Sequence, residues 1–146
     1  MNRPLTQEEF YFEETLRSHV DELIRMEGIL LQIAKQIGLS EERVPLFIVA
    51  VTEALSNAIL HGNRQDPQKQ VRIRFRYVSS SIRPGGKLLV EVRDEGTGFD
   101  PSSLPDPTEE DNLLRESGRG IFLMRNLADG IEFKEGGRCV ELRFDL

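Results

Sequence analysis

Phe47–Val78 reads FIVAVTEALSNAILHGNRQDPQKQVRIRFRYV, and within this one stretch the hydrophobic period changes from helical to two. Phe47, Ile48, Val51, Leu55, Ala58 and Ile59 recur at three-and-four spacing, which puts them on one stripe of a helix. Gly62-Asn63 supplies the stop. Further on, Arg72-Ile73-Arg74-Phe75-Arg76-Tyr77-Val78 alternates charged and apolar residues, the pattern of a strand with one buried and one solvated face. A helix with one apolar stripe next to a strand with one apolar face predicts a helical layer packed on a sheet.

The flanks extend that reading. Upstream, Leu23, Ile24, Leu30, Leu31, Ala34 and Ile37 predict a helix between Val20 and Ile37, stopped by Gly38. Gly28 inside it costs about 1 kcal/mol against alanine. Ser40 followed by Glu41 and Glu42 reads as an N-cap, but Pro45 removes a donor and leaves the helix start irregular until about Val44. Phe10 to Leu16 reads as a strand or an irregular lead-in. Downstream, Ser79 to Gly86 is a turn and Lys87–Arg93 a second strand. Gly- and Pro-rich sequence runs to Pro107, and Thr108-Glu109-Glu110-Asp111 reads as the start of a short helix. A further helix spans Gly120 to Leu127. Gly136-Gly137 joins two final strands, about Ile131–Glu135 and Cys139–Phe144, as a hairpin. The predicted class is α+β, a two-layer sandwich with helices on one face of a mixed, mostly antiparallel sheet.

The 146 residues fit one domain, taken as 1–146, and 38% hydrophobic with 30% charged residues is a globular composition. The net charge of −6 argues against general nucleic-acid binding, which needs a basic face. No uninterrupted apolar run approaches the roughly 20 residues of a membrane span, and acids stand where a secretion signal would be apolar. The single cysteine, Cys139, excludes an intrachain disulfide framework and reads as core filling. A cytoplasmic location, away from membrane and nucleic acid, is the expectation.

Three short segments carry polar groups beyond the needs of a fold. In Thr52-Glu53-Ala54-Leu55-Ser56-Asn57-Ala58-Ile59-Leu60-His61-Gly62, Glu53, Asn57 and His61 stand four apart and line one helix face. That is either an ordinary solvated face or a carboxylate and an amide oxygen set over one substrate. In Val92-Arg93-Asp94-Glu95-Gly96-Thr97-Gly98-Phe99, two glycines follow a strand, where the backbone can turn sharply and a flat ligand can come close. Asp94 there offers an acceptor to an amino group, although a plain Asp-Glu-Gly turn explains much of the same pattern. In Ser117-Gly118-Arg119-Gly120-Ile121-Phe122-Leu123-Met124, glycines just before a helix leave N–H groups unpaired at the positive end of its dipole, which suits phosphate. No Lys-Ser/Thr follows the last glycine, so this is not a Walker loop.

In this order and spacing the three segments resemble the N, G1 and G2 boxes of the GHKL ATP-binding superfamily, and within it the anti-sigma factor and serine-protein kinase branch. Glu53-x-x-x-Asn57 matches the first box, Asp94-x-Gly96-x-Gly98-Phe99 the second and Gly118-x-Gly120-Ile121-x-Leu123-Met124 the third. The likeness runs from about Phe12 to the end. It implies the Bergerat form of the two-layer sandwich, with ATP and Mg²⁺ as cofactors. Asn57 would hold Mg²⁺ against the triphosphate, and Asp94 would accept from the adenine amino group. Gly96 and Gly98 would let the chain pass under the base, Gly118, Arg119 and Gly120 would wrap the phosphates, and Phe99, Ser117 and Ile121 would complete the nucleotide-binding set. Glu53 would orient or deprotonate the nucleophile. His61 either caps its helix or extends this face to the nucleotide, and the second reading is preferred. An ATP lid spans about 100–117.

The chain departs from the family pattern twice: Glu116, preceded by Arg115, stands where some relatives have arginine, and Arg138-Cys139 stands where relatives often have threonine. Ser18-His19 is followed by Val20, not the acid of a histidine-kinase phosphoacceptor, and reads as a surface histidine near a helix start. The Arg72/Arg74/Arg76 stripe reads as a solvated sheet face.

Two functions follow from the resemblance. One is a serine/threonine protein kinase that phosphorylates a small antagonist protein in a partner-switching circuit and binds a sigma factor or another output regulator. The other is a non-catalytic module in which nucleotide only stabilises a sequestering surface. A homodimer fits either.

Overall fold

The computed structural model describes residues 6–80, 85–98 and 116–146. Its elements are β1 (Thr6–Arg17), α1 (Asp21–Gln36), α2 (Val44–Ser56) continued by a π-helical turn (Asn57–Gly62), β2 (Gln70–Ser80), β3 (Lys87–Arg93), α3 (Glu116–Leu127), β4 (Gly130–Lys134), a 3₁₀ turn (Glu135–Gly137) and β5 (Cys139–Asp145). The strands form one sheet in the order β1-β2-β3-β5-β4, and all four pairings among the described residues are antiparallel, where the sequence allowed a mixed sheet.

Register explains the layers. Phe12, Phe75, Val90, Leu142 and Ile131 stand opposite one another across all five strands, turned toward the helices. Val51, Ala54, Leu55 and Ile59 of the central helix, with Met26, Leu30 and Ile33 of α1, complete the core with that row. Phe47 meets Phe144 edge to face at 5.1 Å, fixing α2 over β5.

One position along, the opposite face carries Glu13, Arg74, Glu91, Glu141 and Glu132 in a row. Like charges side by side destabilise a sheet unless neutralised. Arg74 meets Glu91 at 2.7 Å, and Arg76 and Lys134 reach Glu141 at 3.4 and 3.2 Å. The arginine stripe therefore neutralises an acidic one. Burial works against the charge of Glu91, yet Arg74 and Arg93 hold its carboxyl below the usual range.

Several local expectations change. Ile24 and Leu31 are exposed while Met26 and Ile33 take the core positions of α1, because this helix is apolar on both sides of the true stripe. The Ser40 side chain caps nothing: the Ser40 carbonyl receives the Arg43 and Val44 N–H groups, and α2 starts at Val44 with Pro45 harmlessly in its first turn. β1 is a strand rather than an irregular lead-in, and longer than read. His19 is exposed and accepts the Asp21 N–H at 3.1 Å, which settles it as a helix-start residue. Val44–Gly62 is by length and composition able to cross a membrane. Here it is the core helix, with its apolar stripe under the sheet and Glu53, Asn57 and His61 interrupting the other side. The helix start expected at Thr108–Asp111 and most of the lid lie outside the described residues.

Candidate nucleotide site

A cavity of about 510 Å³ opens between the end of the central helix, the turn after β3, α3 and the β4–β5 hairpin. That is within the ordinary size of small-ligand sites. All three sequence segments reach it. Asn57, His61 and Gly62 come from the helix, Asp94, Thr97 and Gly98 from the turn, and Ile121 and Met124 from α3. Ala54, Ala58, Leu60, Val92, Phe133 and Val140 make its remaining apolar walls. A narrow apolar space with one carboxylate suits a flat ring that carries an amino group.

The turn is held by backbone contacts that only glycine permits. A Cβ on Gly62 would overlap the Asp94 carboxylate, and one on Gly96 would overlap the Gly62 carbonyl. Gly98 lies in the left-handed region at φ 81°, against the Gly136 carbonyl. Asp94 donates its N–H to the Arg138 carbonyl at 2.9 Å, and its Oδ1 accepts the Gly96 N–H at 2.7 Å. Burial pushes the Asp94 carboxyl above the usual carboxylate range, and the Gly96 N–H and the charges of Arg138 and Lys69 only partly offset it. A carboxylate kept in an apolar wall at that cost is spent best on a hydrogen-bond donor from a ligand.

At the other end, Gly120 packs on the helix face predicted to act. A Cβ there would stand 2.9 Å from Glu53 Oε2 and 3.3 Å from Asn57 Oδ1. Glu53 is half-buried one turn before Asn57 and faces Gly120 rather than the cavity wall. The helix start differs from expectation. α3 as described runs from Glu116 to Leu127, so Ser117, Gly118, Arg119 and Gly120 lie within the helix rather than ahead of it. Phe99 lies outside the described residues.

Sequence reading missed several contributors. Arg64 and Arg138 line the cavity, and Arg64 with Gln65 takes a left-handed backbone, φ 51° and 56°, directly after the helix. Arg138 stands out in the sequence only as a departure from the family threonine. Gly62 reads as a stop signal, and its approach to Asp94 has no sequence signal beyond its place after His61. Asn63 likewise reads as a stop, yet it is buried and bonded to three chain segments.

Among the described residues no group of three or more His, Cys, Asp and Glu could enclose a metal ion. One amide oxygen and one carboxylate do not make a protein-only magnesium cage, but such sparse oxygen donors fit an ion that arrives on phosphates and keeps its waters.

Residues 16–144 match the family described as histidine kinase-like ATPase domain. An anti-sigma F factor from Heyndrickxia coagulans is 34% identical over 99 residues, 64% of this chain and 63% of that protein. The serine-protein kinase RsbW of Bacillus subtilis is 30% identical over 105 residues, 68% and 62% of the two chains. RsbW of Listeria monocytogenes is 27% identical over 120 residues, 77% and 73%. The first two alignments thus take in just under two thirds of those relatives. The crystal structure of the RsbU and RsbW domains of Rv1364c from Mycobacterium tuberculosis superimposes with a TM-score of 0.61 at 15% identity, over 94% of this chain and 32% of that one, a likeness of fold. The chain therefore belongs to the histidine kinase-like ATPase domain family, and its likeness is to the anti-sigma factor and serine-protein kinase branch.

Proposed function

We propose that the protein is an ATP-dependent protein-serine/threonine kinase of the anti-sigma-factor type. It transfers the γ-phosphate to a serine of a small antagonist protein and, when that antagonist is phosphorylated, binds a sigma factor or another output regulator. This takes place in the cytoplasm. One observation carries the reading: Asn57, Asp94 and α3 meet around one cavity, with Gly120 lying on Glu53 and Asn57.

Adenine enters the apolar space, and Asp94 accepts from its amino group. The triphosphate runs toward Asn57 and the N-terminal part of α3, where the helix dipole meets its charge. Asn57 would hold Mg²⁺ through its amide oxygen, and when bound the ion neutralises charge on the phosphates. Glu53 accepts the proton of the attacking serine hydroxyl. The new bond joins the serine oxygen to the γ-phosphorus while the bond to the β–γ bridging oxygen breaks, leaving ADP. Positioning and charge neutralisation supply most of the rate in such transfers, so a modest base suffices.

The test is incubation with γ-labelled ATP, Mg²⁺ and the cognate antagonist. Label on an antagonist serine, lost in Glu53→Ala, supports the kinase. Tight ATP and partner binding without transfer would replace it with the non-catalytic binding module.

A further inference from the structure

Behind the Asp94 turn lies a buried polar knot that the fold alone does not require. Asn63, 1% exposed, stands at its centre. Its Nδ2 donates to Ser18 Oγ at 2.8 Å and to the Gln70 carbonyl at 2.9 Å, and its Oδ1 accepts the Glu95 N–H at 2.7 Å. Ser18, 3% exposed, donates its own O–H to the Lys69 carbonyl at 2.7 Å. Glu95 Oε1 accepts the Gln70 N–H at 2.7 Å and closes the ring. Four separate segments are thereby joined: the end of β1, the end of the central helix, the start of β2 and the turn after β3.

Asparagine is the side chain that fits. Two donors and one acceptor are all used, whereas aspartate would lose both donors and bring in a buried charge. A glycine would end the helix as well and bury no amide. What the amide adds is a fixed orientation for the Asp94–Glu95 peptide. Asp94 is then held from both sides: Arg138 takes its N–H, and Asn63 takes the next one. Buried networks with every partner satisfied specify one arrangement strongly.

We propose that Asn63 is the positioning residue for base selection: it holds the turn so that Asp94 meets the adenine amino group and rejects guanine. Guanine presents a carbonyl oxygen at the same ring position, so a rigid carboxylate repels it. A carboxylate free to swing would tolerate either base. This inference rests on the ATP reading above.

The experiment measures dissociation constants for ATP, GTP and inorganic triphosphate, with thermal midpoints, in the wild type, Asn63→Ala and Met26→Ala. Met26 is buried on α1 outside the cavity wall, so its variant loses stability without touching the knot. The expected result is a fall of about tenfold in the ATP-over-GTP preference of Asn63→Ala, with triphosphate binding unchanged. Met26→Ala should melt earlier and keep the wild-type preference. An unchanged preference in folded Asn63→Ala overturns the proposal, as does an equal loss in Met26→Ala. Should Asn63→Ala not fold, Ser18→Ala decides, because it removes only one partner of the amide. A reduced preference supports the proposal and an unchanged one overturns it. Failure of the wild type to bind ATP sinks the parent reading, whereas a selective wild type with an equally selective variant sinks this one alone.

Discussion

Gly62 and Asp94 touch backbone to carboxylate, so closely that a single added methyl group at position 62 would displace the acid. Gly62→Ala is therefore expected to cost about 1–3 kcal/mol of stability through overpacking. It should also weaken ATP binding at least tenfold, because the displaced carboxylate is the group proposed to recognise the base. Calorimetric titration and thermal melting check the two effects separately.

Gly120→Ala sets two tendencies against each other. Alanine favours a helix by up to about 1 kcal/mol over glycine, while its Cβ crowds Glu53 and Asn57. The melting temperature should change little, and Mg-ATP affinity and phosphoryl transfer should fall together. Asn57→Ala should lose Mg-ATP binding with the fold intact. Normal nucleotide affinity in either folded variant would remove that residue from the site.

Asp94 gives a pH dependence of unusual sign. Burial raises its folded pKa, so its ionised form opposes folding; its favourable contribution is complete below the unfolded pKa and lost as pH rises through the folded one. Asp94→Asn should melt above the wild type at neutral pH, with the gap closing on acidification. ATP affinity should behave oppositely. In the wild type it falls as pH drops toward a point above the ordinary carboxylate range, and in Asp94→Asn it is weak throughout.

Glu22 behaves as a carboxylate with partners should. Hydrogen bonds from Arg25, 2.9 Å at the closest, hold its pKa down, and the Arg17 N–H adds to them against its burial. Its contribution is present above the unfolded pKa and lost as pH falls through the folded one. Glu22→Gln should cost about 1–2 kcal/mol at neutral pH and nothing in strong acid, by denaturant melts at each pH.

Cys139 is buried in β5, and burial pushes its thiol up to about 11. Alkylating reagents should leave it untouched in the native protein at neutral pH and label it only on unfolding, as mass spectrometry under increasing denaturant would record.

The periodic elements were legible before any coordinates. The strand read at Lys87–Arg93 matches β3 at both ends, and the apolar stripe ending at Gly62-Asn63 marks the central helix. Periodicity failed where apolar residues outnumber core positions, as at Ile24 and Leu31 of α1. The site was legible as three polar segments, because side chains such as Asn57 and Asp94 are out of place on a plain scaffold. Asn63 and Gly62 were not. Their roles depend on residues 32 positions away along the chain, Glu95 and Asp94, and nothing local distinguishes such partners from a helix stop.

The π-helical turn at Asn57–Gly62 holds one residue more per turn than its α-helical continuation would. Removing one residue there would return the turn to α-helical winding with little net rotation, because the six residues sweep about as far around the axis as five of an α-helix. The same cut one turn upstream, in regular helix, would swing everything after it by roughly 100°. A one-residue shortening is thus absorbed at Asn57–Gly62 and ruinous just before it, so the extra residue marks where this helix tolerates a change of length.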